Sequence, residues 1–241
     1  MKKLTSLSLI AALALSASAF GVSAAHADGA SRVTWKPSYA GSCEDCSLVG
    51  RQMLYSDLSS ARYSRADLSH ASLFGSVADS AEFGGVTGRY ADFSQTNLNN
   101  AQLSAATLTN ARFVGAQANG ANFSGAQLDF SAFSEAMLIG ANLTDVSATH
   151  MNAAGADFSA ANATGANFDY ANLRQAIFDG AQLQGASFAQ CDLTGARFRD
   201  ARLAAANLSN AKNVEKADFT GACRSADTQL PNGLVLRPCN N

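Results

Sequence analysis

The chain has 241 residues, of which 47% are hydrophobic, and it carries 3 prolines and a formal net charge of −2. That length bounds it to one domain or at most two. Much of the apolar content is Ala, with little Val or Ile, so the composition argues against a conventional core of branched side chains and for a repeat of small and large residues. The mild charge argues against a nucleic-acid binder with a basic face and against a strongly acidic decoy of DNA.

Residues 1–27 read as a signal peptide. Lys2 and Lys3 supply a positive start, residues 4–20 an apolar stretch too short and too rich in small residues for a membrane span, and Ala25-His26-Ala27 a small-residue cleavage site. The expected mature start is Asp28. No Cys lies at the junction to carry a lipid, and no later apolar run is long enough to cross a bilayer. Without Lys2 and Lys3, 15 basic residues face 19 acidic ones, a net charge of −4. The expectation is a soluble exported protein, periplasmic or secreted, and the two-lysine start suits a bacterial periplasm. Residues 28–45 hold the only tryptophan, Trp35, with Pro37 and Tyr39, and are expected to form an N-terminal cap.

From Cys46 the chain divides into fives: CSLVG, RQMLY, SDLSS, ARYSR, ADLSH, ASLFG. The frame runs without insertion to ANLSN at 206–210, thirty-three units, and 25 of them carry Leu or Phe at the third position. It slips by one residue after AKNVE and reappears as ADFTG, 217–221. A period of five fits neither a helix face nor a strand face. First and third residues must point inward, with a turn after each short extended piece. Four pieces close a square coil of 20 residues, and coils stack by backbone hydrogen bonds about 4.8 Å apart.

Units such as ADLSH, ANFSG, ANLTD, ADFSA, ANFDY, ANLRQ and CDLTG resemble the pentapeptide-repeat family, whose motif is A-(D/N)-(L/F)-x-x. The resemblance covers residues 46–221. It implies an all-β fold, a right-handed quadrilateral β-helix of about eight coils and near 40 Å long at the spacing above. The N-x-[ST] patterns at Asn122, Asn142, Asn162 and Asn207 then arise from the repeat and are not read as glycosylation sites.

A solenoid needs capped ends. The tail, residues 222–241, is similar to the Cys-to-Cys end of exported family members: Cys223 and Cys239 bracket it and are expected to pair. Pro231-Asn232-Gly233 marks a turn there, and Val235 and Leu236 are candidates for a last strand. Cys43 and Cys46 form C-x-x-C, read as a local disulfide with a redox-active pair as the alternative. A four-cysteine zinc site is excluded, because the two pairs fall at opposite ends of the rod. Cys191 occupies a first position, where a buried inert thiol is expected.

Residues 20 apart share a column in such a coil. One fifth-position column reads His70, Tyr90, Asn110, Phe130, His150, Tyr170, Gln190, and it gathers nearly all the fifth-position aromatic side chains. Tyr55 and Arg65 stand in other columns. This stripe is either a docking strip for a protein or extended ligand, or a self-stacking ladder that stiffens the rod. No catalytic residues are assigned: His70 and His150 lie four coils apart, about 19 Å, too far for an acid–base pair. Asp57, Asp67, Asp92, Asp157 and Asp192 read as solvated faces of the motif. Arg197, Arg199 and Arg202 read as a solvated cluster balanced by Asp200.

Third positions lose their large side chains at Ala148, Ala153 and Ala163, and Met151 replaces a first-position Ala. The core Phe residues lie on two opposite faces before this segment and on the other two after it. Met151 is expected to fill the inward volume the alanines leave.

Three functional readings follow. The first is a non-enzymatic periplasmic scaffold or binding rod without cofactor or metal. The second, which the resemblance implies, is a DNA-mimicking topoisomerase-binding protein. The third is a thiol redox or metal protein acting through Cys43 and Cys46. The sequence names no partner and no oligomeric state.

Overall fold

The computed structural model describes residues 41–239. The leader, its cleavage site, the mature start at Asp28, and Trp35, Pro37 and Tyr39 of the expected cap lie outside the described residues.

Each unit makes one parallel bridge, always through its second residue and always to the residue 20 further on, from Ser42↔Arg62 through Asp192↔Lys212. Four bridges per circuit give the chain four faces. The third-position C=O accepts the N–H of the next first position, as in Ala61 N–H to Leu58 C=O at 2.9 Å. The fifth residue, inside that turn, has positive φ in unit after unit, whether Gly125 (φ 65°) or Phe130 (φ 60°). Positive φ costs a non-glycine residue about 1–2 kcal/mol. The cost is met by bonds between circuits: Ser72 N–H donates to Arg51 C=O (2.8 Å), Met53 N–H to Ser72 C=O (2.7 Å) and Tyr55 N–H to Phe74 C=O (3.0 Å).

The stack begins one unit earlier than expected. Ser42 is already bridged, so residues 41–45 form a wound unit, with Cys43 at an inward third position packed against the core. At the other end the extra residue is absorbed by a 3-10 turn, Val214–Lys216, entered through Asn213 at φ 58°. Winding then resumes with Arg197↔Asp218 and continues past residue 221 to Arg202↔Cys223 and Asn207↔Gln229. The last strand also differs. Strand β1 (Cys223–Arg224) pairs in parallel with β2 (Arg237–Pro238), not with Val235 and Leu236. Leu236 is buried against the end of the core while Val235 is 87% exposed, so pairing starts only after Leu236 has turned inward.

First-position Ala and third-position Leu or Phe form one continuous core. Phe93, Phe113 and Phe133 stack with ring centroids 4.9 and 4.4 Å apart. Phe83 and Phe123 meet them edge-on from the opposite face at 5.9–6.0 Å. Beyond the alanine-rich segment the rings move to the other two faces. Phe158, Phe178, Phe198 and Phe219 stack at 4.7–5.0 Å, and Phe168 and Phe188 at 5.3 Å. Ala153 ends the Phe133 column and Ala148 precedes the Phe168 column, whereas Leu143 follows Phe123 and Leu138 precedes Phe158. Met151 is 1% exposed, inside the core where volume was expected to be filled.

Phe113→Ala should cost about 3–5 kcal/mol and Met151→Ala about 2–5 kcal/mol in urea denaturation, whereas Phe130→Ala, on the surface, should cost about 1 kcal/mol. Equal losses at residues 113 and 130 would contradict this placement of the core.

Candidate functional site

The fifth residue of each unit sits on an edge of the rod, and the structure shows which way its side chain lies. A Cβ added at Gly75 would meet the Tyr55 ring, one at Gly115 the Gln95 amide, and one at Gly165 the Asp145 carboxylate. Fifth-position side chains thus lean over the residue 20 further on. The aromatic column follows the same rule. His70 stacks on Tyr90 (5.1 Å, 9° between planes), Phe130 on His150 (4.7 Å, 15°) and His150 on Tyr170 (4.9 Å, 7°). Gln190 Nε2 donates to the Tyr170 hydroxyl at 3.4 Å. Tyr90, Phe130 and Tyr170 are 56%, 56% and 51% exposed.

The column therefore shares one edge, but Asn110 divides it into a pair of rings and a trio. Within each group the rings cover one another's faces and turn their edges to solvent. Beside the trio, Asp129 is fixed in place: its Oδ1 accepts from the Ser147 and Thr149 hydroxyls (2.7 and 2.6 Å) and from Thr149 N–H (3.0 Å). Asp169 accepts from Ser187 (2.5 Å) and from Ala189 N–H (3.0 Å) in the same way. His70 and His150 belong to different groups, and nothing brings them together.

Second-position acids are not merely solvated. Asp57, Asp67, Asp92 and Asp157 each accept the backbone N–H two residues on at 2.9–3.0 Å, as does Asp192 from Thr194 at 3.1 Å. Asn does the same, with Asn142 Oδ1 taking both the N–H (3.1 Å) and the hydroxyl (2.6 Å) of Thr144. The recurring D/N-x-S/T spacing is the signal that reveals this role, and it also explains the sequon-like patterns. Hydrogen bonds from Ser59 and Ser69 hold the Asp57 and Asp67 carboxyls below their ordinary range. At Asp192 burial pushes the other way and is outweighed by Thr194, Asn213 and Arg174, so its carboxyl is also lowered.

The arginine cluster is balanced by other partners than Asp200. Arg197 pairs with Asp179, and Arg199 with Asp218 at 2.6 Å. Arg202 makes no ion pair among the described residues. Cys43 is bonded to Cys46 and Cys223 to Cys239, at opposite ends of the described chain. Cys191 is fully buried, donates to Phe168 C=O, and has its thiol pushed up to about 12 by burial. No group of His, Cys, Asp and Glu among the described residues is arranged to hold a metal ion, and no helix there is long and apolar enough to cross a membrane.

Two pentapeptide repeats profiles match the chain, one over residues 89–125, 115–145 and 141–180, the other over 168–212. The chain belongs to the pentapeptide repeat family. No curated protein matches it. Among solved structures it is similar to HetL, a pentapeptide repeat protein involved in heterocyst differentiation regulation from the cyanobacterium Nostoc sp. strain PCC 7120. That likeness has 26% identity and a TM-score of 0.60, and it covers 80% of this chain and 88% of HetL. QnrB1, a plasmid-mediated fluoroquinolone resistance protein, aligns at 19% identity with a TM-score of 0.42, over 78% of this chain and 92% of its own. A pentapeptide repeat protein from the Arabidopsis thaliana thylakoid lumen aligns at 22% identity with a TM-score of 0.26, over 42% of this chain and 68% of its own.

Lowered carboxyl pKa values stabilise the fold above the unfolded range, near pH 4, and that contribution is lost as pH falls through the folded values. Stability should therefore drop between pH 5 and 2, measured by urea midpoint, and Asp67→Asn, which keeps the same acceptor, should shrink that drop. The Cys223–Cys239 bridge spans 16 residues. Its removal by paired Ser substitution should cost about 3 kcal/mol, read as a lower melting temperature.

Proposed function

We propose that the protein is a non-enzymatic binding rod or scaffold, exported to the periplasm or beyond, that holds a protein or an extended ligand along its aromatic edge. The right-handed sense of the solenoid and its count of about eight circuits are part of this reading. The observation that carries it is the edge itself: Tyr90, Phe130 and Tyr170 are more than half exposed, in register, on corners fixed by backbone bonds from both sides. Exposed apolar side chains gathered along one edge, here a pair of rings and a trio, are a common mark of an interaction surface. Absence of catalysis is supported by the distance between the histidines and by the use of the second-position carboxylates as backbone acceptors.

The stacked rings favour a second reading, a ladder that stiffens the rod, because faces engaged with one another are withdrawn from a ligand. The topoisomerase-binding alternative gains little: among the described residues exposed acids are interleaved with arginines, as in Arg62–Glu82 and Arg65–Asp45. The metal alternative is opposed by the closed Cys43–Cys46 bond, which leaves neither sulfur as a free thiolate to ligate.

A photo-reactive residue placed at position 130 should cross-link a partner in intact cells. The triple variant Tyr90→Ala/Phe130→Ala/Tyr170→Ala, probed by a second reactive residue on the neighbouring face, should lose that capture with its circular dichroism intact. Equal capture by the triple variant would remove the edge as a site, and a large fall in its melting temperature with capture unchanged would establish the ladder.

A further inference from the structure

On one face of the rod the second positions form a single column, bridged in turn from Gln102 through Asn122, Asn142, Asn162 and Gln182 to Arg202. The first half of this column satisfies itself. Asn142 Nδ2 donates to Asn122 Oδ1 at 3.1 Å, Asn122 Nδ2 to Gln102 Oε1 at 3.2 Å, and Gln102 Nε2 to Asn100 C=O at 2.9 Å. The second half does not. Asn162 commits Oδ1 to the N–H and hydroxyl of Thr164 (3.2 and 2.8 Å), which leaves its Nδ2 turned to solvent. Gln184, beside Gln182 at a fourth position, buries Oε1 without a partner and presents Nε2 outward. A buried acceptor without a donor is unfavourable, and no bond within the fold accounts for that orientation. Gln182 is exposed, and its amide bonds to nothing among the described residues.

Arg202 ends the amide run. It is exposed and has no ion pair among the described residues, whereas Arg174, Arg197 and Arg199 each hold an aspartate. Asp200, at the adjoining corner, is directed over Gly221. The groups this face turns outward are therefore donors, amide N–H and guanidinium, with no carboxylate set against them. The rims are bare as well. Gly180 and Gly185 stand at the corners on either side of Gln182, and a Cβ at either would meet nothing within 4 Å.

We propose that this face binds an acidic polysaccharide, a linear polymer of uronic-acid sugars laid along the column. A sugar carboxylate sits on Arg202, and sugar oxygens accept from the side-chain N–H groups of Asn162, Gln182 and Gln184. Charge complementarity selects the class: an unopposed guanidinium takes a carboxylate in two parallel hydrogen bonds, and the amide donors suit the neutral oxygens between charges. A peptide cannot add here as a strand, because the backbone groups of this face are already bonded between circuits, as in Gln182 N–H to Ala161 C=O and Leu183 N–H to Arg202 C=O, both at 2.9 Å. The rise of one circuit, about 4.8 Å, is close to the length of one sugar residue, so successive sugars meet successive rungs. This face does not adjoin the edge that carries Phe130, and the proposal is independent of that edge.

Oligomers of galacturonate, titrated calorimetrically into the full chain, test it. Arg202→Gln should weaken binding about fivefold. Gln184→Glu, which keeps the size and replaces an outward donor with a carboxylate, should weaken it by a similar factor. Arg89→Gln, which removes an exposed arginine from another face, should bind as the parent does, and so should Tyr90→Ala/Phe130→Ala/Tyr170→Ala. Circular dichroism confirms that each variant is folded. Binding should weaken as salt is raised, and neutral dextran should not compete. Absence of galacturonate binding overturns the proposal, as does parent-like binding in Arg202→Gln. An equal loss in Arg89→Gln overturns it in favour of net charge, and a loss in the ring variant overturns it in favour of the aromatic edge. Tighter binding of polyglutamate than of galacturonate overturns it in favour of an acidic peptide.

Discussion

The structure depends on one backbone event repeated without relief: a residue at positive φ every fifth position. That corner turns a strand too short to stand alone into one side of a closed circuit, and it brings the second residue of each unit beside its counterpart 20 residues on. Everything inward follows. First positions approach the interior near a corner and are small, while third positions reach the centre and are Leu or Phe. The corner is locally unfavourable for His70, Tyr90, Phe130 or Glu135, yet each donates its N–H to the circuit that follows, and the C=O just before it accepts from the circuit that precedes. Local strain is over-determined by nonlocal pairing.

The lateral surface shows a second layer of the same logic. Asp and Asn at second positions use one oxygen to satisfy the backbone N–H of the turn, and at fourth positions Asn99, Asn119, Asp129 and Asp169 satisfy N–H groups one circuit away. Among the described residues only three buried side-chain polar atoms, Ser94 Oγ, Gln184 Oε1 and Arg197 Nε, are left without a partner. Little is then free for chemistry: the side chains that look reactive in the sequence are engaged in holding the rod. The fifth-position corners combine rigidity with the exposed rings of Tyr90, Phe130 and Tyr170, which is why a recognition surface is sought there.

Much of this was legible in the sequence because the repeat holds phase. The coil of 20 residues, the shared edge of Tyr90, Phe130 and Tyr170, the exchange of Phe columns and the inward Met151 all follow from counting in fives. What escaped was local conformation where the count is interrupted. The 3-10 turn at Val214–Lys216 and the displacement of β2 to Arg237–Pro238 depend on how one extra residue is housed, which periodicity does not encode. The unit at 41–45 was overlooked because Gly41 and Cys43 are atypical at first and third positions. The acceptor role of Asp57 and its counterparts was visible as D/N-x-S/T and was passed over as solvated surface. Asn110 was counted as part of the aromatic stripe, and only the ring geometry shows that it splits the stripe into two groups.

The exchange of Phe columns has a mechanical meaning. Each circuit touches only the one before and the one after, so cohesion is a chain of nearest-neighbour terms. Long ring columns tie several circuits into a block, and no Phe column runs through the circuit that carries Ala148 and Ala153. The rod is therefore two stiff blocks joined by a softer seam. With the C-terminal block sealed by its disulfide, transient opening of the backbone is directed to that seam and to the far end.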